Sequence, residues 1–195
     1  LHRYVEADFT VGLPGDGGVA WTTQTEPACV VVKPRLETSP EAFVDFLVAE
    51  ALVETGFGEP EQFVEFFGDR YREFAAVTDP RIGPTGTYQL AVALYDAYLG
   101  LQTRETFRTW AEDYPDLYAA WADAGDRLRP RLDGLSGELA RGQTDFAAAA
   151  ELACSAVKHG LELPAPFAAL DTAVYGDHGA DYAVRWAEKT FEQLA

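Results

Sequence analysis

Several residue types are scarce or missing in this sequence of 195 residues. It contains no asparagine, so N-linked glycosylation is excluded. No apolar run approaches the ~20 residues that a bilayer-spanning helix needs. The most apolar stretch, residues 42–53, is interrupted by Asp45 and Glu50. No signal peptide is recognisable. We therefore expect a cytoplasmic protein that does not enter a membrane.

The residues that serve as covalent nucleophiles are also few. Neither of the two cysteines, Cys29 and Cys154, belongs to a CxxC pair, which argues against a zinc ribbon or a thioredoxin-like site. We interpret both as buried structural thiols, and a disulfide between them stays open at this point. Only three serines occur, without a G-x-S-x-G motif. The sequence thus gives no support for a serine or cysteine hydrolase.

Acidic residues dominate the charge. There are 32 acidic against 15 basic residues, and only three of the basic residues are lysines. The formal net charge of −17 repels phosphate backbones and anionic membrane surfaces, so we expect no binding to nucleic acid or membranes. Such a charge strains a folded chain in dilute salt and is screened in molar salt. The composition resembles cytosolic proteins of extremely halophilic archaea. An ordinary acidic protein from a GC-rich bacterium is the alternative.

The first 36 residues predict β-structure. Alternating apolar residues in 3–11, the Gly-rich turn at 12–18 and two apolar runs separated by Glu26-Pro27 indicate an antiparallel meander of about three strands. The Gly-rich stretch lacks the spacing of a phosphate-binding loop, and we interpret it as a hairpin turn. A small sheet with one apolar face needs a partner. We expect residues 1–36 to pack on the rest of a single domain.

Helical periodicity dominates residues 37–195. Two similar stretches, "PEAFVDFL" (40–47) and "PEQFVEFF" (60–67), each predict a helix start with proline in the first turn. Two copies are too few for a solenoid. A third helix, 87–101, is apolar on most sides and therefore predicted to be central. The whole predicts an α+β, mainly α fold: a short N-terminal β meander followed by a bundle of about seven or eight helices.

One segment stands out as a candidate ligand site. The stretch "TDPRIGPTGTY" (Thr78–Tyr88) contains two prolines and two glycines, which predict a shaped loop leading into the third helix. A helix N-terminus favours anions, and Arg81 offers a guanidinium fork. We therefore predict a binding site formed by Arg81, Thr85, Tyr88 and Asp96. A structural turn is the alternative, with Asp96 on the solvated edge of its helix.

A second candidate is a metal site at His178. Asp181 follows three residues later, and imidazole with carboxylate suits several divalent ions. The same residues also fit an ordinary helix start, and no third ligand is marked. We predict no cofactor.

Two functions remain open from sequence. The first is a non-catalytic module that binds a protein or peptide partner, or an accessory, chaperone-like subunit. The sequence favours it through many aromatic residues on the predicted helices and the lack of a catalytic constellation. Its surface would include Trp110, Trp121 and Trp186, unless these form core. The second is a small-ligand-binding protein or enzyme that uses the Thr78–Tyr88 loop, or a metal-dependent enzyme that uses His178.

Overall fold

A two-stranded antiparallel sheet opens the part of the chain that the computed structural model describes, residues 18–194. Strand β1 (Val19–Thr22) pairs with β2 (Cys29–Val32), with Val19 opposite Val32. The residues between the strands include the predicted break at Glu26-Pro27, whose peptide bond is cis. Two strands of the predicted meander are therefore confirmed as an antiparallel pair. The predicted hairpin turn at residues 12–18 falls, except for Gly18, outside the described residues. The first predicted strand, in residues 3–11, lies outside the described residues.

Helices make up most of residues 33–194. The α-helices are α1 (Glu41–Thr55), α2 (Phe63–Phe67), α3 (Arg70–Asp113), α4 (Pro115–Ala140), α5 (Phe146–Val157) and α6 (Ala173–Gln193). Short 3-10 turns occupy Pro34–Leu36 and Phe167–Leu170. The mainly helical fold with a short antiparallel sheet is confirmed. The predicted count of seven or eight helices is wrong, because residues 18–194 form six.

The count differs mainly because α3 is much longer than its sequence pattern suggests. The sequence pattern predicts that one helix ends at Leu101 and another covers Arg104–Asp113, but the structure has no boundary there. Instead the Thr103 hydroxyl donates to the carbonyl of Leu99 at 2.9 Å, inside the helix. Phe107, which is fully buried, lies on the same helix one turn later. Burial of this side chain continues the helix through residues that have modest helix propensity.

The predicted Thr78–Tyr88 loop is also part of α3, and this part of the prediction is wrong. Only Gly83 leaves the helical conformation, with φ 71° and ψ 173°. That region is accessible almost only to glycine. Pro84 then begins the second segment at a position where its missing N–H costs nothing. The sequence signals for a loop therefore mark a kink.

The two similar stretches adopt different structures. In the first, α1 begins at Glu41, directly after Pro40, close to the predicted start. In the second, Pro60 to Gln62 are not helical, and α2 begins only at Phe63. The second helix therefore starts three residues after the predicted position at Pro60, and it is only five residues long.

The sequence pattern also predicts a loop in residues 132–143 and a last helix at 180–194, and the structure changes only the first of these. Residues 132–143 read as the most loop-like stretch, yet α4 continues to Ala140, since Leu132 and Leu135 are buried in the core. The last helix contains Gly179 at φ 45°, and the segment after it matches the predicted helix at 180–194.

The main core lies between the second half of α3 and helices α5 and α6. Leu90, Leu94 and Ala97 of α3 are completely buried there, with Ala153 of α5 and Ala187 of α6. These small and branched side chains allow the helices to approach closely. The result confirms that the third predicted helix is central. It also places one face of α3 beside α1 and the hairpin.

Candidate ligand-binding cavity

A cavity of about 250 Å³ lies between the hairpin and the helices. Its walls come from β1, α1, the segment before α2, α3 and the end of α5. The lining side chains that matter chemically are Trp21, Glu50, Glu54, Glu61, Tyr95, Asp96 and Lys158. Among the described residues, four carboxyl groups, one ammonium group and the amide of Gln62 thus line a space whose other walls are apolar, aromatic or glycine.

Helical spacing explains how the chain collects these groups. Glu50 and Glu54 are four residues apart on α1, so their side chains lie on the same face one turn apart. Asp96 and Gly100 have the same relation on α3. The hairpin then covers the space between the two helices with Trp21, which is 8% exposed.

Glu50 and Lys158 form a partly buried ion pair at the wall of the cavity. The Lys158 ammonium donates to Glu50 Oε1 at 2.6 Å, and Glu50 is only 8% exposed. Burial alone would lower the pKa of Lys158, but the charge and hydrogen bond of Glu50 outweigh it and raise that pKa. Gly100 permits this arrangement, since a Cβ there would lie 2.8 Å from the backbone nitrogen of Lys158.

Glu54 lies in a different environment. Burial and the neighbouring Glu50 raise the pKa of its carboxyl group to about 8, so the group is mostly protonated at neutral pH. The indole N–H of Trp21 donates to its Oε2 at 2.7 Å and links the hairpin to α1. A protonated acid beside a cavity can give up its proton when a cation arrives.

Glu61 fastens the hairpin to the helices. Its carboxylate accepts hydrogen bonds from the backbone and hydroxyl of Thr23, at 2.6 and 2.7 Å, and from the amide of Gln24 at 2.9 Å. Burial alone would raise the pKa of Glu61, but these hydrogen bonds outweigh it and lower that pKa. The carbonyl of Pro60, one residue earlier, accepts from the Tyr95 hydroxyl. These contacts hold residues 60–62 out of a helix.

The residues of the predicted anion site are spread along α3. Arg81 and Thr85 are exposed, and Tyr88 packs edge-to-face on Phe63 at 5.2 Å. Only Asp96 lines the cavity. Arg81 lies about 20 Å from Asp96 along the helix, at 1.5 Å per residue. The structure therefore does not bring Arg81 and Asp96 together, and an anion site at Arg81 stays a prediction.

The second predicted site is open on the surface. His178 is exposed. Asp181 forms an ion pair with Arg70, with 2.8 Å between Asp181 Oδ1 and Arg70 Nε. Within residues 18–194, no three or more His, Cys, Asp and Glu side chains are grouped so that they could hold a metal ion. A metal role for His178 stays a prediction without further support here.

Other side chains considered from sequence belong to the interior. Trp110, Trp121 and Trp186 are each 6% exposed and form core rather than a surface groove. Cys154 is buried, Cys29 is half-buried, and both thiols are free. No helix in the described range is long and apolar enough to cross a membrane. Binding of a protein partner stays a prediction.

Sequence reasoning missed most of the cavity. Glu50 was visible only as an interruption of an apolar run, and Lys158 as a cation at the end of a helix. The available signal was the i, i+4 pair Glu50 and Glu54 on a helix that is apolar on nearly all its other positions. No local sequence pattern indicates that this pair meets Trp21, which is 33 residues away from Glu54.

Comparison with known proteins places the chain in a family but gives no biochemical activity. Neither a curated protein nor a solved structure matches it significantly. One family model matches residues 1–194, almost the full sequence. The chain therefore belongs to a family of unknown function, DUF7089.

Proposed function

We propose that this protein binds a small organic molecule in the cavity between the hairpin, α1 and α3. The observation that carries the proposal is a space of about 250 Å³ that four carboxyl groups and one ammonium group of the described residues line. At about 30 Å³ per molecule of liquid water, the space equals about eight waters. That is room for a compound the size of an amino acid. Ligand sites combine apolar walls with a few converging polar groups in this way.

The polar groups are held in place, which favours a binding role. Glu50 is fixed by Lys158, Glu54 by Trp21 and Glu61 by the hairpin. Preorganised groups lose little conformational entropy when a ligand binds. Burying an ion pair is costly for a fold and gives little stability in return. A binding function accounts for keeping such groups around an open space.

The proposal can be tested by native mass spectrometry of the full chain, exchanged from high salt into a volatile salt. An excess mass of a small organic compound would support it. A bare mass, or a complex with another protein, would favour the protein-binding function instead. Thermal melts with a panel of small amines, amino acids, carboxylates and sugars provide the second readout.

A variant that fills the cavity sharpens the test. Ala51 lines the cavity and is 3% exposed, so Ala51→Leu adds atoms to the ligand space. Ala42 is exposed on the same helix, and Ala42→Leu is the matched control. We expect any ligand-induced rise in melting temperature to disappear in the first variant and persist in the second. Equal rises in both would locate binding elsewhere.

A further inference from the structure

The charges that face the cavity are unbalanced. From α1 come Glu50 and Glu54, from the segment before α2 comes Glu61, from α3 Asp96, and from the end of α5 Lys158. Strand β1 contributes no charged group to the cavity. Lys158 is the only cation among these lining residues, and it is paired with Glu50. An anionic ligand would meet net repulsion, whereas a cation would be attracted.

One carboxyl oxygen of Glu54 can accept a hydrogen bond from a ligand. Its Oε2 accepts from Trp21, and in the described part of the chain this is the only hydrogen bond of its carboxyl group. The other oxygen, Oε1, is not a buried atom without a partner. It therefore keeps surface that solvent in the cavity can reach. Charge-assisted hydrogen bonds from an ammonium group to such an oxygen are short and strong.

The walls of the cavity fit the same kind of ligand. Trp21, Phe63 and Tyr95 line the cavity and are each less than 9% exposed. Aromatic rings attract organic cations through their electron-rich faces. The carboxyl groups, by contrast, are not grouped in a way that suits a metal ion within residues 18–194. The lining therefore favours an organic cation over an inorganic divalent one.

We infer that the ligand of this cavity is a small organic ammonium ion, which donates to the free oxygen of Glu54 and packs against Trp21 and Tyr95. The inference rests on the proposed binding function. Glu54 must be ionised to accept the cation fully, so binding below pH 8 releases its proton to solvent. The cation then takes the place of that proton, and the charge of the cavity is unchanged.

The experiment is isothermal titration calorimetry of the full chain with three probes of equal chain length: butylammonium, butyrate and 1-butanol. The salt concentration is held at one value at which the chain is folded. We expect butylammonium to bind most tightly. Its affinity should rise about tenfold per pH unit from pH 6 to 7.5 and level off above the pKa of Glu54, about 8.

Glu54→Gln keeps an oxygen that can accept the hydrogen bond from Trp21, and it removes the ionisable carboxyl group. In this variant we expect the affinity for butylammonium to fall at least tenfold at pH 8 and to lose its pH dependence. Glu151→Gln removes the same charge from an exposed position on α5 and should change neither property. Asp96→Asn is a second variant, at an exposed part of the cavity lining, and it should weaken binding about threefold.

The outcomes separate the two proposals. Tighter binding of butyrate or butanol, blocked by Ala51→Leu, would overturn the ammonium inference and leave the binding function standing. Butylammonium binding that keeps its pH dependence in Glu54→Gln would also overturn the inference. If none of the three probes binds and native mass spectrometry finds no small ligand, both proposals fall.

Discussion

Glu54 carries an acidic group in a place where its charge is costly. Burial desolvates its carboxyl group, and the negative charge of Glu50 lies one helical turn away. One hydrogen bond from Trp21 and the charge of Lys158 act in the opposite direction, but they are the smaller effects. The outcome is a carboxyl group that keeps its proton at neutral pH.

The raised pKa of Glu54 predicts a pH-dependent stability. Its folded-state pKa of about 8 exceeds the ordinary 4.5, so its proton stabilises the folded chain fully below pH 4.5. This contribution is lost as the pH rises through about 8. We expect Glu54→Gln to be more stable than the natural chain at pH 8.5, by roughly 4 kcal/mol, and close to it at pH 5, because each pH unit between the two pKa values corresponds to about 1.4 kcal/mol. Denaturant unfolding at several pH values measures the difference.

His159 adds a second pH dependence, which the natural chain and Glu54→Gln share and which cancels in the difference between them. Burial and the charge of Lys158 lower its pKa to about 4, so its neutral form stabilises the fold above pH 6.5. That contribution is lost as the pH falls from 6.5 through 4. Measurements between pH 6.5 and 8.5 therefore report on Glu54. A Glu54→Gln curve that runs parallel to that of the natural chain in this window would contradict the assignment.

The secondary-structure elements show where a local pattern suffices and where it fails. The start of α1 is predictable, because proline and an acidic residue in the first turn suit a helix and nothing opposes them. The similar stretch at 60–67 carries the same signals, but Glu61 bonds to the hairpin and Pro60 to Tyr95. Contacts between residues more than 30 positions apart decide its conformation. No reading of the stretch itself could include them.

The kink at Gly83 gives a prediction at the level of one helix. A Cβ at Gly83 would meet no atom within 4 Å, so only its backbone conformation resists substitution. We expect Gly83→Ala to destabilise the chain by about 1–2 kcal/mol, the usual cost of such a conformation for an alanine. Chemical denaturation gives the free energy of unfolding.

Gly134 is the matched control for this substitution. It lies inside α4 with helical geometry, and its nearest neighbour to an added Cβ is a flexible side chain at 3.4 Å. We expect Gly134→Ala to stabilise by about 0.5–1 kcal/mol, as glycine-to-alanine changes in helices do. The same gain at Gly83 would mean that α3 runs through without a break.

The candidate site illustrates the same limit. Asp96 was recognisable, because a single acid on an apolar helix demands an explanation. Lys158, Glu50 and Trp21 were not, since each has an ordinary local explanation and their meeting depends on the packing of α1, α3, α5 and the hairpin. Mainly helical architecture follows from periodicity. A cavity follows from how the elements dock, which periodicity does not describe.

At the level of the whole molecule, charge is the dominant property. The chain of 195 residues has a formal net charge of −17. Seven ion pairs join described residues, and six of them involve arginine. Most of these pairs are exposed. Exposed pairs contribute about 0–1 kcal/mol each. Screening by salt is therefore the main way to reduce the repulsion.

This repulsion predicts that stability depends on salt. In ~2 M KCl the Debye length is about 3 Å or less, and we expect cooperative unfolding at a high melting temperature. In ~0.1 M KCl we expect loss of helical structure, because the charges then repel each other over about 10 Å. Circular dichroism at both concentrations measures this. Equal stability in both would argue against the halophilic interpretation of the composition.

The hydrogen bond between Trp21 and Glu54 has an evolutionary consequence. It joins a hairpin residue to a helix residue, and loss of either partner leaves the other polar group buried without a bond. A lineage that replaces the tryptophan by an apolar residue gains from replacing the acid as well. In descendants of this chain, the two positions should therefore change together, while the exposed acids of α4 drift independently of each other.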